Sequence, residues 1–240
     1  MRLIFIRHGD PDYEHDTLTE KGLREAALLG ERVKDWDVDA LYVSCLGRAR
    51  KTAQPVEAAL GREGIVLDWL QEYRAKIDGK YGRGDGLPWD LLPTLRAKAP
   101  GLYDREKWYD TKIMEKSGDL PSVKEVYFET CEKLDELLAG HGCHREQGYY
   151  RMEPGSDKTI VFVCHMAITF VMLSHLLDIP FPALIHGIFL PPTSVTVVSS
   201  EEVERGIGAF RCQGMGDVRH LQEGGEPISG RGYFAEVFQK

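Results

Sequence analysis

Residues 159 to 164 read Thr-Ile-Val-Phe-Val-Cys, a β-branched, apolar run of strand length with no polar alternation. A half-solvated strand alternates, whereas one that is apolar throughout needs cover on both faces, so this run predicts a central strand of an α/β sheet. His165 stops it, and Met166 to Leu177 continues at once as an apolar helix. The same sentence is written at the start of the chain. Leu3 to Ile6 is a continuous apolar run that breaks into Arg7-His8-Gly9: a cation, an imidazole and a residue with a permissive backbone. Ligands of open α/β sheets sit just beyond the carboxyl ends of strands, so two histidines delivered there are placed to meet a substrate.

Between these runs the chain alternates. Thr19 caps a helix that runs to about Asp35, with Leu23, Ala26, Ala27 and Val33 at helical spacing. Ala40 to Val43 is a second short strand, and Ser44 to Ala53 reads as strand end, turn and new helix. Ile65 to Leu67 is a third strand leading to Glu72. Lys76 to Gly86 is a loop rich in glycine and charge, and Leu87 to Gly118 is irregular. Pro121 and Ser122 open an amphipathic helix that Gly140 ends. His141 to Asp157 is polar and expected to be exposed. Thr193 to Ser199 and Gly208 to Cys212 are further strands, and the tail after Leu221 reads as a surface extension.

Composition removes several alternatives. A length of 240 residues suits one large domain, or a domain with an insertion, and 42% hydrophobic with 28% charged residues is ordinary for a globular chain. A net charge of −8 without a long basic run argues against nucleic acid as a partner. There is no apolar stretch of membrane length and no signal-like start, so a cytoplasmic protein away from the membrane is expected. Five widely spaced cysteines suit free thiols. His141, Cys143 and His144 do not complete a zinc set, so no metal is expected there.

Chemical groups gather at the strand ends and helix starts: Arg7 and His8, Arg48, Glu72, and His165. Two guanidiniums, two imidazoles and one carboxylate make a pocket for a tetrahedral dianion, because arginine matches phosphate oxygens. Arg48, Arg50 and Lys51 sit at a helix N-terminus, where cations oppose the helix dipole unless an anion is bound. Arg48 and Arg50 point apart, so only one of them can share a site with His8. Cations around His8 would keep it neutral and its ring nitrogen free for attack, and Glu72 could protonate a leaving group.

In order along the chain, Arg7-His8-Gly9, Leu18-Thr19-Glu20-Lys21-Gly22, Ser44 through Ala53, Leu70-Gln71-Glu72, Val163-Cys164-His165 and Gly216 through Leu221 resemble the histidine phosphatase superfamily, also called phosphoglycerate mutase-like. The resemblance implies a three-layer α/β sandwich with a mainly parallel sheet, a phosphohistidine intermediate on His8, Arg48 rather than Arg50 as pocket arginine, and neither metal nor other cofactor. It implies a metal-independent, acid-type phosphatase acting on a small phosphorylated metabolite, with His8, Glu72 and His165 catalytic and Arg7, Arg48 and His165 binding phosphate. Three departures stand out. Met166 and Ala167 follow the second histidine in place of small glycines. Glu72 lacks the family's frequent following pattern, which leaves Asp85 as reserve acid. Pro11-Asp12-Tyr13-Glu14 replaces the loop of the glycolytic mutases, which favours a phosphatase over a mutase. A phosphoryl-transferring mutase and a non-catalytic phospho-ligand binder are the alternatives, and a homodimer stays open.

The expectation for organisation is a single domain over residues 1 to 240 with a cap inserted at about 77 to 121. Those residues are not needed to connect the strands, and they carry Tyr81, Trp89, Tyr103, Trp108 and Tyr109. Their aromatics form either a small core of their own or a lid that reads the substrate.

Overall fold

Alternate side chains of the first strand enter two different cores. In β1 (Arg2–Arg7), Leu3 and Phe5 face one side while Ile4 and Ile6 face the other. The computed structural model describes residues 1–232. Its remaining strands are β2 (Pro11–Asp12), β3 (Thr17–Leu18), β4 (Ala40–Ser44), β5 (Ile65–Leu67), β6 (Cys143–Glu146), β7 (Tyr149–Met152), β8 (Thr159–Cys164), β9 (Val195–Glu204) and β10 (Ile207–Asp217). The helices are α1 (Glu20–Val33), α2 (Gly47–Leu60), α3 (Pro93–Arg96), α4 (Val123–Gly140), α5 (Met166–Leu177), α6 (Phe181–Gly187) and α7 (Arg219–Glu223).

The sheet has eight strands in the order β5-β4-β8-β1-β9-β10-β7-β6. The expected α/β architecture holds, and β8 is central and buried as its composition requires. Strands β5, β4, β8 and β1 run parallel. The other half joins antiparallel, β9 on β1 and then β10, β7 and β6, so the sheet is mixed. One face carries Ile4, Ile6, Val161 and Val163 against Leu29 and Val33 of α1 and Val56 of α2. The other carries Leu3, Phe5, Ile160 and Phe162 with α4, α5 and α6.

Two segments differ from expectation. Residues 141 to 157 are not an exposed loop: Cys143, Tyr150 and Met152 are buried, and β6 and β7 form a hairpin whose turn is Gln147-Gly148, both at positive φ. The excursion before α4 is irregular, as expected, but it is not separate from the main core. Ile77, Leu91, Leu102, Trp108 and Met114 lie in the same cluster as α4, α5 and α6. Trp108 packs edge-on against Tyr127 at 4.9 Å and tilted on Phe181 at 5.6 Å. His141, Cys143 and His144 diverge, His141 bonding the Tyr42 hydroxyl and His144 facing Glu153. The tail runs beyond α7 as far as residue 232, and its remainder, 233 to 240, lies outside the described residues. Among the described residues no helix is long and apolar enough to cross a membrane.

Candidate active site

Strand β1 ends at Arg7, so His8 leaves the sheet at its carboxyl end with its backbone still held. Its N–H donates to the Cys164 carbonyl of β8 at 2.9 Å, and its carbonyl accepts from the N–H of Thr193 at 3.2 Å. The loop beyond is pinned from two sides. Gly9 N–H donates to Thr52 Oγ1 of α2 at 2.9 Å, and Asp10 N–H donates to Glu25 Oε2 of α1 at 2.7 Å. The start of α1 presses so closely here that a Cβ on Gly22 would lie 2.3 Å from the Asp10 carbonyl oxygen, so this contact requires glycine.

The side chain of His8 is buried, and its Nδ1 lies 2.8 Å from the Gly9 carbonyl. A carbonyl only accepts, so the hydrogen bond assigns the proton to Nδ1 and leaves the lone pair on Nε2. Burial first, then the Arg7 and Arg48 guanidiniums, holds the imidazole well below its ordinary pKa. Neutral His8 therefore presents a nucleophilic nitrogen at neutral pH.

His165, at the end of β8, has its ring centroid 5.0 Å from that of His8. Its Nε2 lies 2.8 Å from Ser44 Oγ at the end of β4, while Nδ1 is buried with no hydrogen-bond partner. Ser44 Oγ also accepts from Leu46 N–H at 3.3 Å, so Ser44 holds the Nε2 edge of the His165 ring and leaves its Nδ1 for a ligand. Burial, His8 and the two arginines keep His165 neutral.

Arg7 is 4% exposed, donating from Nη1 to the Leu190 carbonyl at 2.6 Å and from Nη2 to the Arg231 carbonyl at 2.8 Å. Arg48 donates from Nη1 to Asp16 Oδ1 at 2.6 Å, and Asp16 Oδ2 accepts Gly47 N–H at the same distance. The anion at the N-terminus of α2 is thus the chain's own Asp16. Arg50 is exposed, so of the two arginines it is Arg48 that faces His8 and His165.

Glu72 reaches the N-terminus of α5. Its Oε1 accepts the N–H groups of Tyr73 at 3.0 Å, Ala167 at 3.1 Å and Ile168 at 3.2 Å, and Oε2 has no hydrogen bond among the described residues. Burial raises its pKa against the opposing pull of these donors and of Arg7 and Arg48. Asp85 is exposed and lies beside Asp90, whose pKa rises to about 6 through burial and that neighbour. No contact ties Asp85 to the histidines among the described residues.

The expected residues Arg7, His8, Arg48, Glu72 and His165 thus converge. Sequence reading missed Ser44, Asp16 and Thr52, whose roles depend on partners far away in sequence, and Tyr13, whose ring lies 5.5 Å from the Arg48 guanidinium. It also missed the return of the tail: Ser229 bonds Asp10, and Glu226 pairs with Lys21 and Arg24 of α1. A larger cleft of about 600 Å3 lies at the other end of the strands, around Arg2, Trp36 and Asp39, and holds none of these groups.

A neutral imidazole with a free ring nitrogen near two guanidiniums, at the carboxyl end of an α/β sheet, is an arrangement that can receive a phosphoryl group. The model of the histidine phosphatase superfamily (branch 1) matches residues 3–212, and the chain belongs to that family. It is 25% identical over 183 residues to the uncharacterized phosphatase PhoE of Bacillus subtilis, covering 72% of this chain and 76% of that protein. A 2,3-bisphosphoglycerate-dependent phosphoglycerate mutase of Bartonella tribocorum is 34% identical, over 27% of this chain and 37% of the mutase. In fold the chain is similar to the phosphoserine phosphatase of Entamoeba histolytica solved with 3-phosphoglyceric acid (TM-score 0.59, 21% identity, 92% of this chain and 98% of that one). It is also similar to mycobacterial glucosyl-3-phosphoglycerate phosphatase (TM-score 0.60, 22% identity, 90% and 98%).

Proposed function

We propose that the chain is a phosphohydrolase that removes the phosphoryl group of a small phosphomonoester through a phosphohistidine on His8. The observation that carries this reading is the His8 hydrogen bond to the Gly9 carbonyl, which frees Nε2 beside Arg7, Arg48 and the unpartnered Nδ1 of His165. In the first step Nε2 attacks phosphorus, the P–O ester bond breaks, and the departing oxygen takes the proton of the Glu72 carboxyl. In the second, water attacks phosphorus, the P–N bond breaks, and its proton passes to Glu72, restoring the acid. Arg7, Arg48 and His165 hold the phosphoryl oxygens and offset the charge that develops on them. The burial that raises the pKa of Glu72 favours the protonated form the first step needs.

The extent of the matches favours hydrolysis over mutase chemistry, since the phosphatase relative covers 72% of this chain and the mutase 27%. On this reading residues 77 to 121 act as a cap, and Trp89 and the Pro88 carbonyl, which faces His186 at 3.1 Å, bring it toward α6 and the pocket. The test is a screen of phosphorylated metabolites for phosphate release with His8→Ala as blank. Release that survives chelation and is absent from the blank supports the proposal. An isomeric phosphate ester in place of free phosphate would make the chain a mutase, and release that persists in the blank would remove His8 as nucleophile.

A further inference from the structure

The guanidinium of Arg7 touches two side chains that also line a separate cavity. Met166 Sδ is 3.9 Å from its Nη1, and the ring of Phe189 lies 5.6 Å from the guanidinium carbon. Both line a cavity of about 150 Å3, together with Trp89 from the cap segment and Ile185 and Ile188 from α6 and its end. Among the described residues the lining has no carboxylate, lysine or arginine. Its one imidazole, His186, faces main-chain carbonyls with both nitrogens, Pro182 at 2.7 Å and Pro88 at 3.1 Å. An ammonium placed here would meet no carboxylate among the described residues, and the one guanidinium nearby, Arg7 behind Met166 and Phe189, already donates to the Leu190 and Arg231 carbonyls. An apolar cavity of this size holds a benzene-sized group.

Resting on the phosphohydrolase reading, we propose that this cavity receives the leaving group of the substrate, and that the leaving group is an apolar ring or short branched chain of about six heavy atoms. Continuity through Arg7 makes it the place where the ester's carbon end lies while the phosphoryl group sits at His8. The ammonium of phosphoserine meets no carboxylate among the described residues of this lining.

The test uses the full chain and two phosphonates that cannot be hydrolysed. Calorimetry should show phenylphosphonate binding at least about tenfold tighter than methylphosphonate, since burying a ring removes apolar surface from water. Gly187→Leu adds a side chain at an exposed position of the lining where a Cβ meets nothing within 4 Å, so the side chain has room without displacing a neighbour. Gly187→Leu and Trp89→Ala should each cut the ratio to under about threefold, and Gly187→Leu should leave methylphosphonate binding within about twofold of the parent. In turnover, 3-methylbutyl phosphate should exceed phosphoserine in kcat/KM by at least about tenfold. Equal affinity for the two phosphonates, or a ratio unchanged in both variants, overturns the subsite even if phosphate esters are hydrolysed. Ring-selective binding with no release from any ester keeps the subsite and overturns the phosphohydrolase reading instead.

Discussion

His8 keeps one nitrogen free because a carbonyl one residue away claims the proton of the other. Its low pKa has a consequence for rate. The acid limb of kcat/KM against pH should fall well below the ordinary imidazole value near 6.5, because the nucleophile stays unprotonated there. Activity should fall as pH rises through the raised pKa of Glu72, whose acid form is the donor. A profile whose acid limb sits at 6.5 or above contradicts the assignment of His8. Glu72→Gln should slow alkyl phosphates by roughly 100-fold or more and activated aryl phosphates by less than about tenfold, since good leaving groups need little proton help. Equal losses on both would make Glu72 a positioning residue. Ser44→Ala should release the Nε2 edge of the His165 ring and weaken phosphate binding, with KM up about tenfold and Ser44→Thr restoring it. An unchanged KM would show that Ser44 does not position that ring. His8, His165, Arg7 and Glu72 were legible because strand ends and helix starts expose them in the sequence. Ser44 and Asp16 were not, since a serine or aspartate gains such a role only from the residue that the fold sets beside it.

Among the elements, the well-patterned ones were read closely. Thr19 caps α1 by accepting the N–H of Gly22, and Ser122 with Glu125 forms a capping box on α4. The hairpin of β6 and β7 was missed because four-residue strands bearing His144, Arg145 and Arg151 look polar. The signal was present in the Gln147-Gly148 turn and in the alternation of Tyr150 and Met152 with charged neighbours. The cap segment was read as dispensable because no sheet connection needs it, yet Trp108 is 1% exposed within the main core. Trp108→Ala should therefore destabilise the whole protein by about 3–5 kcal/mol, read from the urea midpoint. A loss under about 1 kcal/mol would mean that the segment packs independently of that core.

For the whole molecule, the α/β class was legible but the strand order was not, because pairing across a sheet depends on partners that sequence neighbours do not reveal. Stability on acidification follows from the buried histidines. His186 and His220 are both held down to about 4, chiefly by burial, and His8 and His165 are lowered as well. Between about pH 6.5 and 4 the unfolded chain takes up protons at these sites that the folded one refuses, so stability should fall as pH drops through that window. Glu72, Glu25 and Asp90, raised chiefly by burial, act in the opposite direction but are three against these four histidines. Melting temperatures from pH 7 to 4 check the sign, and a flat or rising curve contradicts it.

The first strand lies between β8 and β9, with Arg2 opposite Thr159 on one side and Ser199 on the other. During synthesis β1 emerges before either neighbour. At about 5–20 residues per second it waits roughly ten to thirty seconds before even β8 has been made. The nascent chain therefore carries an unpaired apolar strand until β8 has been made, and the candidate site cannot assemble until its two histidine segments, made at opposite ends of that interval, lie side by side.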